Sequence, residues 1–324
     1  MEDQASDPTA GTQPRRPFQI LSLDGGGLKG LFSAVVLAEV EKDLGVDLLD
    51  HFDLVVGTSA GGIIALALGK RMRAGDIVEF YGQLGSDVFS SPRRAPVRTA
   101  KHRAANLDKA MRTVFGDTLL GDSRIPLVIP SFSLEAQRVY LFKTPHHPRL
   151  KRDWKVPMAD VAMATSAAPT FLPAFRLGST RLIDGGVWAN NPMLVAIAEA
   201  RSMFGVSLDD IRILSLGTTE EVKHMPSSLD AGGLYPWATK GRSILLNAPA
   251  AGVHTTAVHL LGETSIHRIS PPVAPGQFKL DRIDDRQIRG LAEEISRIHL
   301  PSVETFLGHT PPTYTPCQPA GDPR

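Results

Sequence analysis

The sequence has little cysteine, little net charge and no long apolar run, and each lack excludes a class of protein. Cys317 is the only cysteine among 324 residues, so neither an intrachain disulfide nor a cysteine zinc site can form. The formal net charge of +1 argues against a partner that is a nucleic-acid polymer. No stretch is long enough to span a bilayer, and residues 1–17 lack the apolar core of a signal peptide. We therefore expect a cytoplasmic protein that meets any membrane from its surface.

Apolar segments with strand and helix patterns fill the chain between two polar ends. Residues 1–16 and 310–324 are rich in proline and polar side chains, which predicts disordered tails around one folded domain over residues 17–309. Strand-like runs alternate with helical patterns, which predicts an α/β fold whose sheet is mostly parallel and covered by helices. The predicted strands are FQILSL, DLVV, PLVIPSF, RVYLFK, RLID and IRILSL, and the predicted helices include 75–84, 106–115, 192–203 and 283–300, with more between 231 and 261.

Ser59 lies in a pentapeptide typical of a nucleophile elbow. The sequence Gly57-Thr58-Ser59-Ala60-Gly61 follows the strand DLVV and precedes the helical run IIALAL. A serine on such a turn is exposed at the carboxyl edge of the sheet, and small neighbours leave room for a strained backbone and a substrate. The same pattern also fits a helix start that Ser59 caps. The pentapeptide alone leaves catalysis and capping open.

A second glycine-rich turn, DGGGLKG over residues 24–30, follows the strand FQILSL. Its consecutive backbone N–H groups can hold an oxyanion. The same letters fit the G-x-G-x-x-G fingerprint of an NAD-type oxidoreductase. Two features weigh against a nucleotide: Asp24 would place a carboxylate beside the pyrophosphate, and the next strand ends in Gly-Thr-Ser rather than in an acid. The dinucleotide interpretation therefore stays a distant alternative.

Asp184 lies in a third segment of interest, RLIDGG (residues 181–186), in which a strand-like run ends in an acid and two glycines. A carboxylate that is hydrogen-bonded to a serine hydroxyl can act as its general base, and acyl transfer then proceeds through an acyl-serine without a histidine. An aspartate before glycine is otherwise usually a turn residue that caps its own backbone. Asp184 becomes a catalytic candidate only together with the two other motifs.

These three segments, in this order, resemble the patatin-like phospholipase family, which carries a D-G-G-G-x-[R/K]-G turn, a G-x-S-x-G elbow and a D-G-[G/A] aspartate. The resemblance covers roughly residues 18–217. It implies a three-layer α/β/α fold and a phospholipase A or broader lipid acyl hydrolase that needs no metal or other cofactor. It also implies Ser59 and Asp184 as catalytic residues, Gly25, Gly26 and Gly27 as the oxyanion hole, and Asp24, Lys29, Gly30, Gly57, Gly61, Gly185 and Gly186 as supporting motif residues.

The short single-domain build is similar to bacterial anti-phage effectors in which a cyclic nucleotide switches on a membrane-degrading phospholipase. This likeness implies membrane phospholipid as the substrate, the inner face of the cell membrane as the place of action, a cyclic nucleotide activator and a homodimer. Such control needs an element that hides the acyl groove until the activator binds, and residues 219–262 are the candidate.

The basic segment 90–103 is interpreted as a solvated loop or flap. A constitutive lipid acyl hydrolase and a non-enzymatic lipid-binding protein remain alternatives.

A Ser-His-Asp esterase would share the serine pentapeptide but would need a downstream histidine. The chain offers His224, His254, His259, His267, His299 and His309. Each is interpreted as a surface or core histidine rather than as a base. We therefore expect every His→Ala change that leaves the fold intact to preserve activity.

Overall fold

The computed structural model describes residues 16–89, 100–102, 104–221, 227–230, 233 and 242–317. Residues 1–15 of the N-terminal tail, most of the basic segment 90–103, parts of the candidate regulatory segment 219–262 including His224, and residues 318–324 lie outside these ranges. The strands are β1 (Phe18–Leu23), β2 (Leu54–Gly57), β3 (Leu127–Ser133), β4 (Arg138–Lys143), β5 (Phe175–Leu177), β6 (Thr180–Asp184), β7 (Ile211–Leu216), β8 (Glu220–Glu221), β9 (Ile266–Ile269) and β10 (Pro272–Val273). The α-helices are α1 (Gly30–Leu44), α2 (Ala60–Gly69), α3 (Ala74–Phe89), α4 (Ala104–Phe115), α5 (Met158–Thr165), α6 (Gly186–Ala189), α7 (Met193–Met203), α8 (Arg242–Leu261) and α9 (Asp285–Leu307).

The central sheet has the strand order β5-β6-β3-β2-β1-β7-β9, with β4 paired to β3 beside this path. The neighbours from β3 through β2, β1 and β7 to β9 are all parallel. By contrast, β4 and β6 run antiparallel to β3, and β5 runs antiparallel to β6. The predicted mostly parallel sheet is therefore confirmed, and its antiparallel strands lie at one side.

Helices cover both faces of the sheet because its central strands are apolar on both sides. In β1, alternate side chains point to opposite faces. Leu21 and Leu23 belong to a buried cluster with α1 to α5 and α9, whereas Ile20 packs in a second cluster with α7 and α8. These layers confirm the three-layer α/β/α fold.

The last helix is longer than its sequence pattern predicts. Helix α9 begins after Asp284, whose carboxylate accepts hydrogen bonds from the N–H groups of Arg286 and Gln287, and it continues through Pro301 to Leu307.

Among the described residues, no helix has both the length and the apolar character to cross a bilayer.

Residues 310–317, which the sequence analysis assigned to a disordered tail, are described and lie against the domain. The Arg16 guanidinium donates to Thr310 O at 2.7 Å, and the Cys317 N–H donates to Pro145 O at 2.6 Å. Just before this segment, His309 Nε2 lies 2.6 Å from Asp53 Oδ2. Hydrogen bonds from backbone and side-chain groups therefore hold residues 310–317 against the domain, although the composition of this segment alone favours disorder.

Candidate active site

Ser59 lies on the sharp turn between β2 and α2. Its backbone has φ 53° and ψ −118°, a left-handed conformation that a non-glycine residue adopts at a cost of about 1–3 kcal/mol. Its side chain makes no capping hydrogen bond to α2. Instead, Ser59 Oγ donates to Asp184 Oδ2 at 2.7 Å, and Ser59 is only 9% exposed. The turn thus presents the hydroxyl to a carboxylate rather than to the helix.

Two glycines of the elbow are required because backbone atoms pass within contact distance of them. A Cβ on Gly57 would lie 2.2 Å from Gly61 O, and a Cβ on Gly61 would lie 2.3 Å from Leu23 O. Neither approach leaves room for a side chain. These glycines let the end of β1 pack directly against the start of α2, which brings the glycine turn to Ser59.

Two threonines fix the backbone around Ser59: Thr58, inside the serine pentapeptide, and Thr165, which lies outside the three predicted motifs. The Ser59 N–H donates to Thr165 Oγ1 at 3.0 Å, and that hydroxyl donates to Pro130 O at 2.6 Å. Thr58 Oγ1 donates to Ala189 O at 2.7 Å. These hydrogen bonds tie the elbow to β3 and to α6.

Asp184 reaches Ser59 from an antiparallel strand. It ends β6, opposite Ser131 of β3, and the Gly186 N–H donates to its Oδ1 at 2.6 Å. A Cβ on Gly185 would lie 2.4 Å from Pro130 O, so this glycine permits the close turn away from β3. The structure therefore brings Ser59, Asp184 and both glycines of the third motif together.

The Asp184 carboxyl is buried, with 5% of the residue exposed. Burial raises its pKa from 3.8 to about 6, and the hydrogen bonds from Ser59 and Gly186 act in the opposite direction. At neutral pH the group is ionised yet more basic than an ordinary aspartate. It can therefore accept the proton of the hydroxyl to which it is hydrogen-bonded.

The glycine turn lies beside Ser59, but one of its three expected donors is already used. A Cβ on Gly25 would lie 3.2 Å from Ser59 Cβ, and the Gly25 N–H donates to Asn190 O at 2.9 Å. In the part of the chain that the structure describes, no hydrogen bond uses the N–H of Gly26 or Gly27. Of the three N–H groups expected to form the oxyanion hole, that of Gly25 is therefore occupied by Asn190 O at the end of α6, whereas those of Gly26 and Gly27 carry no bond among the described residues.

The other motif residues support this turn. The Asp24 N–H donates to Leu216 O at 2.9 Å, and its carboxylate accepts two hydrogen bonds from Arg268. Lys29 Nζ donates to Thr219 O at 3.3 Å. Gly30 begins α1, where an added Cβ would lie 2.8 Å from Ala60 Cβ. Arg268 was missed by the sequence analysis because it lies in β9, outside every motif.

Several of the described histidines form contacts away from Ser59 and Asp184. His267 Nε2 and His299 Nδ1 lie 3.1 Å apart, and His309 contacts Asp53. Within the described ranges, neither Ser59 nor Asp184 is hydrogen-bonded to a histidine. Among the residues that the structure describes, the serine therefore has a carboxylate partner and no imidazole partner.

The chain is similar in sequence to known lipid hydrolases. The family model for patatin-like phospholipase matches residues 21–197. A cGAMP-activated phospholipase of Pseudomonas aeruginosa is 34% identical over 278 residues, which cover 82% of this chain and 83% of that protein. A cGAMP-activated phospholipase of Vibrio cholerae is 34% identical over 282 residues, covering 78% and 79%. Patatin-like protein 2 of Arabidopsis thaliana is 33% identical, covering 71% and 70%.

Among solved structures, VipD from Legionella pneumophila matches with a TM-score of 0.50. The match covers 91% of this chain and 67% of VipD at 11% identity, so it supports the fold alone. The family model covers more than half of the sequence, and the relatives exceed 30% identity over most of it. The chain therefore belongs to the patatin-like phospholipase family and is a serine hydrolase of the class that acts on lipid esters.

Proposed function

We propose that this protein hydrolyses acyl esters of membrane phospholipids through an acyl-Ser59 intermediate, with Asp184 as the only other catalytic side chain. The observation that carries the proposal is the 2.7 Å hydrogen bond from Ser59 Oγ to Asp184 Oδ2. It joins a strained serine to a buried carboxylate whose pKa is raised to about 6. A nucleophile and its base within hydrogen-bond reach are what acyl transfer requires.

In the first step, Asp184 takes the Ser59 proton while Oγ attacks the ester carbonyl. The carbonyl oxygen becomes an oxyanion, and the N–H groups of Gly26 and Gly27 are the donors available to it. Collapse of this intermediate breaks the ester bond. Asp184 then gives its proton to the departing alcohol, the lysophospholipid, and leaves an acyl-serine.

Water completes the cycle in the second step. Asp184, again ionised, takes a proton from water as the hydroxide attacks the acyl-Ser59 carbonyl, and the same donors hold the second oxyanion. Collapse releases the fatty acid, and the proton returns from Asp184 to Ser59 Oγ. Each half-reaction uses the carboxylate once as base and once as acid, so no group is consumed.

A cyclic nucleotide activator is the second part of the proposal. It is supported by two relatives named cGAMP-activated phospholipases, which align over 82% and 78% of this chain. Because Ser59 is only 9% exposed, an activator that widens access to it would raise the rate of the first acyl transfer. We further propose action at the inner face of the cell membrane and a homodimeric assembly.

Fatty-acid release from mixed phospholipid vesicles tests both parts. The proteins are the wild type, Ser59→Ala and Asp184→Asn, with Ser179→Ala and Asp209→Asn as controls at exposed positions. Each is assayed with and without a panel of cyclic dinucleotides and trinucleotides. We expect release from the wild type and both controls, and a loss of at least about 1,000-fold in the two site variants.

The nucleotide arms separate the remaining alternatives. Release that rises sharply with one nucleotide supports the activator, whereas equal release without any nucleotide identifies a constitutive hydrolase. Undiminished release by Ser59→Ala contradicts the proposed nucleophile. Absence of release by the wild type under every condition contradicts the phospholipase assignment.

A further inference from the structure

Arg268 is a nearly buried cation that connects β9 to the glycine turn. Its Nη1 lies 3.3 Å from Asp24 Oδ1 and its Nη2 lies 2.7 Å from Asp24 Oδ2, which is a two-pronged contact. Nη1 also donates to Ser215 Oγ at 2.8 Å, and Nη2 donates to Glu220 Oε1 at 3.2 Å. The side chains of Arg268 and Asp24 are 12% and 5% exposed. Besides Asp24, the guanidinium thus contacts two further side chains, those of Ser215 and Glu220.

Asp24 is the residue from which the glycine turn starts. Its own N–H is bonded to Leu216 O, and the next residue, Gly25, lies against Ser59. A rotation of Asp24 would therefore displace the N–H groups of Gly26 and Gly27 relative to Ser59 Oγ. A planar guanidinium that grips both carboxylate oxygens resists such a rotation better than a single point charge.

The ion pair between Arg268 and Asp24 also affects the charge near the oxyanion. Without a cation, the buried Asp24 carboxylate would oppose the negative charge that develops on the oxyanion nearby, and such repulsion is strong where water is excluded. Burial raises the pKa of Asp24, while the Arg268 guanidinium acts to lower it. Arg268 neutralises the carboxylate and so keeps the turn favourable to an anion.

We propose that Arg268 is a positioning residue for the oxyanion turn, holding and neutralising Asp24 so that Gly26 and Gly27 face the oxyanion formed at Ser59. The inference rests on the proposed function. Arg268 lies 244 positions from Asp24 in the chain and outside residues 21–197, which the family model matches. A strand beyond the three motifs therefore completes their geometry.

The test measures kcat and KM for the wild type, Arg268→Lys and Arg268→Gln in the vesicle assay, with and without the panel of cyclic dinucleotides and trinucleotides. Arg112→Gln is the matched control, because Arg112 also pairs with two carboxylates but lies on the exposed face of α4. Every kcat is divided by the amount of Ser59 that a fluorophosphonate labels to completion. This normalisation removes the contribution of misfolded protein.

We expect kcat per labelled serine to fall about 10-fold in Arg268→Lys and about 100-fold in Arg268→Gln, the range expected for weakened oxyanion donors. KM should stay within about two-fold, because the donors act mainly on the transition state. Arg112→Gln should match the wild type. If Arg268→Gln does not fold, the Lys variant alone decides.

Two results would overturn the inference. One is an unchanged kcat per labelled serine in the folded Arg268 variants, which would make the pair purely structural. The other is a rise in KM at constant kcat, which would indicate substrate binding instead. Failure of the proposed function is a separate outcome, since it requires an inactive wild type or an active Ser59→Ala.

Discussion

At Asp184, the burial that makes the carboxyl a stronger base also determines the pH range of the reaction. Its pKa is raised to about 6, and only the ionised form can take the Ser59 proton. We therefore expect kcat/KM on a water-soluble short-chain ester to fall about tenfold per pH unit below 6 and to level off above it. Stopped assays between pH 4.5 and 8 check this, with the native fold monitored by tryptophan fluorescence. An acid limb centred near pH 4, the value of an ordinary aspartate, would contradict the role given to burial.

The same burial costs folding free energy, and Asp184→Asn should recover it. The folded pKa of about 6 lies above the unfolded value of 3.8, so the native state binds the proton more tightly. The resulting stability is present below about pH 4 and is lost as the pH rises through 6. At pH 8 the ionised group costs up to about 3 kcal/mol, at 1.36 kcal/mol per pKa unit.

Urea unfolding at pH 8 and at pH 5 measures this effect. Asp184→Asn should be more stable than the wild type by roughly 1–3 kcal/mol at pH 8, and its advantage should shrink at pH 5. Asp209→Asn, at an exposed position, should change the free energy of unfolding by less than about 0.5 kcal/mol. A variant less stable than the wild type at pH 8 would show that the lost hydrogen bonds outweigh desolvation.

Among the elements, α2 packs so closely on the end of β1 that there is no space for a side chain at Gly61 in its first turn. A Cβ at Gly61 would lie 2.3 Å from Leu23 O and 2.7 Å from Asp24 O, which are backbone atoms that cannot rotate away. We expect Gly61→Ala to lower the free energy of unfolding by about 2–4 kcal/mol and to reduce activity. Gly290 in α9 has open space around it, so Gly290→Ala should instead stabilise by about 1 kcal/mol. Equal effects of the two substitutions in urea unfolding would contradict the packing account.

The elements that carry motifs could be predicted from sequence, because each motif sits between a recognisable strand and the segment that follows it. Helix α5 could not be predicted by periodicity, since almost all of MADVAMAT is buried and it has no polar face to contrast with an apolar one. Strand β5 has only three residues, and β9 has no fully apolar run. Segments that are short or uniformly buried show no alternation of apolar and polar residues, so their secondary structure cannot be predicted from hydrophobic periodicity.

The partners of the motif residues escaped prediction for a different reason. Thr165, Asn190 and Arg268 are single polar residues, and each meets the site through pairing of distant strands and helices. Nothing local distinguishes Arg268 from the other arginines until β9 pairs with β7 and brings it to Asp24. The antiparallel direction of β6 relative to β3 could not be predicted either, because the residue pattern of RLID fits a parallel and an antiparallel strand equally well.

At the scale of the whole molecule, His309, which follows α9, is hydrogen-bonded to Asp53, the residue just before β2. Asp53 in turn is bonded to Gln19 in β1. His309 Nε2 lies 2.6 Å from Asp53 Oδ2, and the same oxygen accepts the Gln19 N–H at 2.8 Å. We expect His309→Ala to lower the free energy of unfolding by about 1–3 kcal/mol, because it leaves a buried carboxylate with fewer partners. It should leave kcat per folded protein within about two-fold.

Exposed His259 in α8 provides the control, and His259→Ala should change neither stability nor activity. Thermal unfolding and ester hydrolysis on both variants separate structure from chemistry. A folded but inactive His309→Ala variant would support a Ser-His-Asp mechanism and contradict the carboxylate as sole base.

The most direct test of the central claim is to find the acyl group on Ser59. The protein is mixed with phospholipid vesicles and the activating nucleotide, quenched in acid within milliseconds to seconds, digested and analysed by peptide mass spectrometry. We predict a fatty-acyl mass on the peptide that contains Ser59, decaying as substrate is exhausted, absent from Ser59→Ala and strongly reduced in Asp184→Asn. Active turnover with the acyl group on another residue, or hydrolysis by Ser59→Ala at the wild-type rate, would contradict the account.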